Sequence, residues 1–416
     1  MKKNTENISG ALPYTLKEKN RKIVLKLLHS GGAFSLAEIS AIVGLSRQTV
    51  TKIIDYYLDK NLVCSTGKGE STDIGGKKPK LFKFSSDTKL LCISIGYKKT
   101  RVLVLDLQAN IHDSVEIRDT HTLSYEMLKN RIMENCSILY QNNPRLKKQI
   151  KGVSCSIPGI VEYISGTLRY NIFSSEWGYD IPLKKDLHTM FPMADYVYVD
   201  NVGRMIGRSL LWIPNENISQ ERIVAIYTSV GISACQIANG KIENGANSLI
   251  GEIGHMILEP MDHEVCLCGS RGCFEVLASI ERARKLVAEK INEFPESPLN
   301  QIDPEQISFH DIFEGSRKGD VLCRHIIEFL AKWFGLAMRN IDLTIDPTMI
   351  IFFGGFSYAD DFFDRKLHEV LNDFHYYPKT DKCKFVYDKR NCFELETIGS
   401  AQSLVESFLS NEDLYR

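Results

Sequence analysis

Cys266, Cys268 and Cys273 stand in the order C-x-C-G-x-x-G-C, with His255 before them and Glu275 two residues beyond the last. Three thiolates and an imidazole at loop spacing are the donor set with which zinc closes a structural tetrahedron. A lone free cysteine in such a chain is usually a small buried hydrophobe, but that reading leaves the paired glycines Gly269 and Gly272 unexplained. They suit a short knuckle that turns back on one ion. A structural Zn2+ is expected, held by His255, Cys266, Cys268 and Cys273, with His263 as the alternative fourth ligand. Glu252 and His255 lie three residues apart in GEIGH and share a face if that stretch is locally helical. Sugar hydroxyls both donate and accept, so carboxylates can receive from them, and a metal-bound imidazole is fixed in tautomer and orientation. The window therefore suggests a polyol pocket on a zinc knuckle.

A different chemistry occupies the N-terminus. The chain of 416 residues carries a formal charge of −1, yet residues 1–84 hold 15 Lys and Arg against 7 Asp and Glu, a net +8 that leaves −9 for the rest. A basic segment beside an acidic body is the electrostatic footprint of a nucleic-acid-binding module. From Asn20 to His29, Ile23, Val24, Leu27 and Leu28 form one helical face, and Ser35 and Glu38 stand in capping-box register at the start of a second helix. Gly44 supplies the turn, Ser46 caps a third helix, and Val50, Ile53, Ile54, Tyr57 and Leu58 make its apolar stripe. That is a helix-turn-helix. Ser46, Arg47, Gln48, Thr49, Thr51 and Lys52 fall at the start of the third helix, where a recognition helix meets bases and phosphates. The following STGKGESTDIGGKKPKLFKF reads as a strand, a Gly-rich tip and a strand, a wing whose Lys68, Lys77, Lys78 and Lys80 reach phosphates.

The elements that must position the pocket follow from about residue 86. LLCISIGYKKTRVLVLDL is a strand hairpin, KGVSCSIPGIV a strand ending in Pro158-Gly159, and YVYVDNVG a strand ending in Asp200 with a helix after it. RIVAIYTSVGISACQIANGKI is a second hairpin, and TMIIFFGGFS runs into Gly354-Gly355. Two similar strand-hairpin units predict an α/β body of two lobes with a cleft between them. The first lobe is placed at about 86–205 plus a C-terminal helix at about 396–416, and the second at about 206–395, after a winged helix at 1–85. The N-terminus has no signal-peptide pattern and no stretch approaches a membrane span, so the chain is expected to be cytoplasmic. Eleven scattered cysteines suit a reducing compartment better than a disulfide framework.

GEIGH followed by C-x-C-G-x-x-G-C-x-E resembles the signature of the ROK family, which comprises bacterial sugar kinases and sugar-responsive repressors. GESTDIGGKKPK is similar to the wing of its repressor branch, the xylose and N-acetylglucosamine type. The resemblance implies a two-lobed, actin-like and sugar-kinase-like body of the ribonuclease H-like kind. It also implies that His255 ligates zinc with one nitrogen and meets a sugar hydroxyl with the other, and that Glu252 and Glu275 complete the sugar contacts. Asp200 is matched to the general base of the family's kinases and is expected to bond the same hydroxyl.

Phosphoryl transfer needs glycine-lined backbone donors around the phosphates and a carboxylate near the metal. Where the family's kinases carry D-x-G-G-T-K, this chain has Ser94 for the Asp and Tyr97 for the second Gly. The second phosphate loop reads SVGISAC, keeping only Gly231, and Phe356 replaces the third glycine after Gly354-Gly355. Side chains at these places are expected to fill the phosphate space. The resulting expectation is a non-enzymatic repressor of carbohydrate-utilisation genes: operator DNA on the winged helix, a sugar or sugar phosphate in the cleft, and a homodimer or higher homo-oligomer. A sugar kinase with an appended DNA-binding head is the alternative.

Overall fold

The computed structural model describes residues 13–68, 78–171, 175–212, 221–373 and 383–411. The first unit runs α1 (Pro13–His29), β1 (Phe34–Ser35), α2 (Leu36–Val43), α3 (Arg47–Asp59), β2 (Val63–Lys68) and β3 (Lys80–Phe84), with β3 antiparallel to both other strands. Ser35 N–H donates to Glu38 Oε2 at 2.7 Å and Glu38 N–H to Ser35 Oγ at 3.3 Å, so the capping box starts α2 as expected. Gly44 ends that helix at φ +67°, a left-handed conformation that costs glycine little, and Ser46 caps α3 directly after it. α1 begins at Pro13 rather than Asn20, because a proline at the first helical position brings its φ preset. Its buried face is Val24, Leu25 and Leu28, while Ile23, assigned to that face by spacing, is 39% exposed.

Lobe one opens with an antiparallel meander of β4 (Lys89–Ile95), β5 (Lys99–Asp106) and β6 (Ile111–Arg118). Helices α4 (Tyr125–Asn142) and α5 (Leu146–Gln149) return the chain to β7 (Ile150–Ile157), which is parallel to β4. A small sheet of β8 (Ile160–Glu162), β9 (Thr167–Tyr170) and β10 (Tyr179–Ile181) precedes α6 (Leu183–Met190) and β11 (Tyr196–Asn201), which is parallel to β7. Helix α7 (Val202–Arg208) then crosses to lobe two. That lobe contains β12 (Arg222–Thr228), β13 (Ile232–Ala238), β14 (Lys241–Ile242), α8 (Phe274–Leu277), α9 (Ile280–Lys290), α10 (Phe309–Arg317), α11 (Val321–Ile345), β15 (Met349–Gly354), α12 (Asp361–Asn372) and β16 (Lys384–Tyr387). Helix α13 (Cys392–Ser410) closes the described chain.

The sheet orders β6-β5-β4-β7-β11 and β14-β13-β12-β15-β16 are the same topology. In each, a central strand is antiparallel to its hairpin partner and parallel to a later strand. This is the ribonuclease H-like order, present twice as the repeated hairpins imply. No helix among the described residues is long and apolar enough to cross a membrane.

The winged helix does not hang from the body. Val24, Leu25 and Leu28 of α1 share one apolar core with Leu103 and Leu105 of β5 and with Leu404 and Phe408 of α13. His29, at the end of α1, bonds the Leu107 carbonyl and meets the rings of Phe84 and Trp212 edge-on at 5.0 and 5.4 Å. Between the lobes α7 makes side-chain-free contacts: a Cβ at Gly203 would lie 2.1 Å from Ser233 Oγ, and one at Gly207 2.2 Å from the Cys235 Cβ. On its other side, a Cβ at Gly399 of α13 would lie 1.7 Å from the Met205 carbonyl oxygen. Glycine is required wherever helix and neighbour approach this closely.

Candidate functional site

A cavity of about 410 Å³ lies between the lobes. Lobe one contributes Ser94, Gly96, the Pro158-Gly159 loop and Asn201; lobe two contributes Glu252, His255 and Glu275; α13 contributes Glu396. Glu275 sits on the one-turn helix α8, and Ile232 N–H donates to its Oε2 at 2.8 Å. A Cβ at Gly231 would come within 2.5 Å of the same oxygen, which explains the one glycine kept in that loop. Burial pushes the Glu275 carboxyl above its usual range, partly offset by the Ile232 N–H and the His255 charge. Burial also pushes Glu252 up, to about 7, with Arg204 pulling down and Glu275 pushing further up. The cleft thus presents carboxyl groups that can accept from a hydroxyl or, when protonated, donate to one.

His255 closes the short turn Ile253–His255 and points Nδ1 at Cys266 Sγ, 3.7 Å away. Cys268 and Cys273 bring their sulfurs to 3.6 Å, and the four donor atoms of His255, Cys266, Cys268 and Cys273 all lie within 4.8 Å of one another. The knuckle is held by backbone bonds, Cys266 N–H to the Ser270 carbonyl and Gly269 N–H to the Cys266 carbonyl, each 2.8 Å. Gly272 has φ +68°, and a Cβ there would lie 1.7 Å from the Glu259 carbonyl oxygen. His263 is not part of the donor group; its carbonyl accepts from the Arg271 guanidinium. Because His255 also lines the cavity, Nε2 is the nitrogen left for a ligand.

Asp200 is not a cleft residue, which corrects its assignment as sugar contact and base. It is fully buried, with Arg204 Nε donating to Oδ1 at 2.5 Å, the Tyr198 hydroxyl to Oδ2 at 2.7 Å and Asn201 N–H to Oδ1 at 2.8 Å. A strand alternates its faces, so Asp200 turns inward and the next residues, Asn201 and Val202, line the cavity instead. Arg204 also donates to the Val161 carbonyl at 2.8 Å and the Ser248 carbonyl at 3.4 Å, which makes the pair a tie beneath the cleft. Asn201 Nδ2 donates to the Gly159 carbonyl and its Oδ1 accepts from Gly203 N–H, both at 2.8 Å. It fixes the Pro-Gly loop to the start of α7.

On the phosphate side, Ser94, Tyr97, Ser229 and Val230 do line the cavity. Phe356 does not. It is fully buried against Phe309, Phe313, Phe334 and Phe363, since the turn after β15 aims it into the lobe-two core. The hairpin donors are spent internally: Gly96 N–H on the Lys99 carbonyl and Ser229 N–H on the Gly231 carbonyl, each at 2.9 Å. Glu396, which the sequence does not mark, reaches this side from α13; burial raises its pKa, offset in part by the Ser94 and Ser156 hydroxyls and by Arg101.

The winged helix brings Ser46 to Lys52 together on the first two turns of α3, with Arg47, Gln48 and Lys52 exposed and Thr49 and Thr51 half-buried. Ser46 Oγ and Thr49 Oγ1 lie 2.8 Å apart, and Thr51 Oγ1 donates to the Arg47 carbonyl at 2.9 Å. Lys68 ends β2, Lys78 and Lys80 are exposed at the base of the wing, and Lys77 lies outside the described residues.

The ROK family model matches residues 90–391. A xylose repressor of Caldicellulosiruptor bescii is 26% identical over 369 residues, covering 86% of this chain and 88% of that one. Among solved structures, a ROK family transcriptional regulator described as a homologue of the Escherichia coli MLC protein superposes with a TM-score of 0.75 at 20% identity, covering 95% of this chain and 98% of its own. A ROK family glucokinase from Streptomyces griseus, in complex with glucose and AMPPNP, gives 0.61 at 19% identity, covering 75% of this chain and 98% of its own.

Proposed function

The chain belongs to the ROK family, and on that premise we propose that it is a sugar-responsive transcriptional repressor of carbohydrate-utilisation genes. One observation carries this reading: a basic winged helix shares its apolar core with α13, the helix that also places Glu396 in the interlobe cavity. DNA is read by Arg47 and Gln48 on α3, with Ser46, Thr49, Thr51 and Lys52 and the wing lysines Lys68, Lys77, Lys78 and Lys80 on phosphates. The effector is held by Glu252, His255 and Glu275. It acts through its preference for the lobe arrangement that disfavours DNA, since a ligand shifts an equilibrium only by differential affinity.

The donor cluster fits zinc. A tetrahedron with Zn–S of about 2.3 Å has sulfur–sulfur edges of about 3.8 Å, and the Cys268–Cys273 separation is 3.6 Å. His255, Cys266, Cys268 and Cys273 would hold the ion in a structural role; the ion neutralises the thiolates and fixes the His255 ring. The chain does not phosphorylate sugars on this reading, because no carboxylate replaces Asp200 at the cleft and both hairpin turns bond themselves. A homodimer presents two recognition helices to palindromic half-sites. The test is a gel-shift assay of the purified protein on its own upstream region, run with and without monosaccharides, beside an ATP-consumption assay on the same sugars. Sugar-dependent release without ATP turnover is expected; sugar-dependent turnover would establish the kinase alternative.

A further inference from the structure

We infer that the effector of this cleft is an uncharged, unphosphorylated sugar, and that Glu396 is a third carboxyl contact for its hydroxyls, across the cavity from Glu252 and Glu275. The inference rests on the sugar-sensing reading above and narrows its ligand class. Three carboxyl groups line the cavity, one of them from a helix outside both sheets. The cations near them are already committed. Arg101 Nε bonds Glu116 Oε2 at 3.1 Å and its guanidinium stacks 4.2 Å from the Phe393 ring, while Lys99 Nζ lies 3.4 Å from the same Glu116 oxygen. Arg204 is bound to Asp200 below the cavity floor. Lys98, the remaining cation of the β4–β5 turn, is exposed at the rim.

Phosphate recognition also needs convergent backbone N–H groups, and here these are used up. Gly96 and Ser229 N–H close their own turns, and Ile232 N–H is bonded to Glu275. The Ser94 and Ser156 hydroxyls face Glu396, so the hydroxyl donors at this end serve a carboxyl group. A phosphate ester placed there would meet Glu396 and lack a counter-charge, and a buried charge without a partner is strongly disfavoured. A neutral sugar hydroxyl is suited to the same group as donor or acceptor.

The experiment is isothermal titration of the zinc-loaded full chain with matched pairs: glucose and glucose 6-phosphate, N-acetylglucosamine and its 6-phosphate, xylose and xylose 1-phosphate. Inorganic phosphate is a further probe. At least one neutral sugar should bind, with its phosphate ester ten-fold or more weaker. Glu396→Gln should narrow that gap at least ten-fold, with operator binding and the melting temperature measured on the same sample to show that it folds. An ester that binds as tightly as its parent sugar, or a gap unchanged in Glu396→Gln, overturns the inference and leaves the sugar-sensing reading standing. No heat from any sugar or ester overturns both.

Discussion

Glu252 gives the cleft a signature in solution. Its carboxyl holds its proton to about 7 in the folded chain, against an ordinary 4.5, because burial disfavours the charge. Between those values the folded state binds more protons than the unfolded one, so this group makes stability fall as pH rises from 4.5 to 7 and adds no further slope above. Melting temperatures of wild type and Glu252→Gln across that range should therefore converge at the acid end and separate toward neutral, the variant being the more stable; parallel curves would contradict the assignment. Asp200 behaves differently. Asp200→Ala strands the Arg204 guanidinium in the interior and should cost about 3–5 kcal/mol of stability in urea unfolding, whereas a surface role would leave it near wild type. The cysteine and histidine types and spacing made the metal cluster readable from the chain. Sequence does not say which face of β11 Asp200 takes, and Glu396 reaches the cavity only through the packing of a helix remote from the other site residues.

Two elements carry separable functions. The exposed start of α3 should set base preference: Arg47→Ala should weaken operator binding by roughly 1–3 kcal/mol and relax preference at one base position, with unchanged footprints counting against α3 as the reading helix. The knuckle from Cys266 to Cys273 positions His255 and Glu275. Chelation should blunt the sugar response, and metal analysis should find about one zinc per chain; a folded protein without metal would contradict the zinc reading. Both elements were legible because capping residues and turn glycines are local signals: Ser35, Glu38, Gly44 and Ser46 all take the roles their types favour. Phe356 shows the limit of such reading. A phenylalanine in a glycine run was expected in the phosphate space, but the apolar core of lobe two offers it more burial.

At the scale of the whole molecule, the repeated hairpins revealed two lobes of one topology, since the hydrophobic pattern of a strand pair is visible in sequence. The joint between winged helix and body was not visible. It is made by residues as far apart as Leu28, Leu105 and Leu404, whose shared core depends on the assembled fold. This joint makes the winged helix a continuation of lobe one, so a change of lobe angle moves the DNA-reading surface with it. The most direct test is an effector titration of the operator complex, with wild type, Glu252→Ala and Glu275→Ala side by side. Release of the wild-type complex by a sugar, with both variants bound to DNA but unresponsive to that sugar, is the predicted result. Normal release from both variants, or a wild-type complex that no sugar or sugar phosphate displaces, would contradict it.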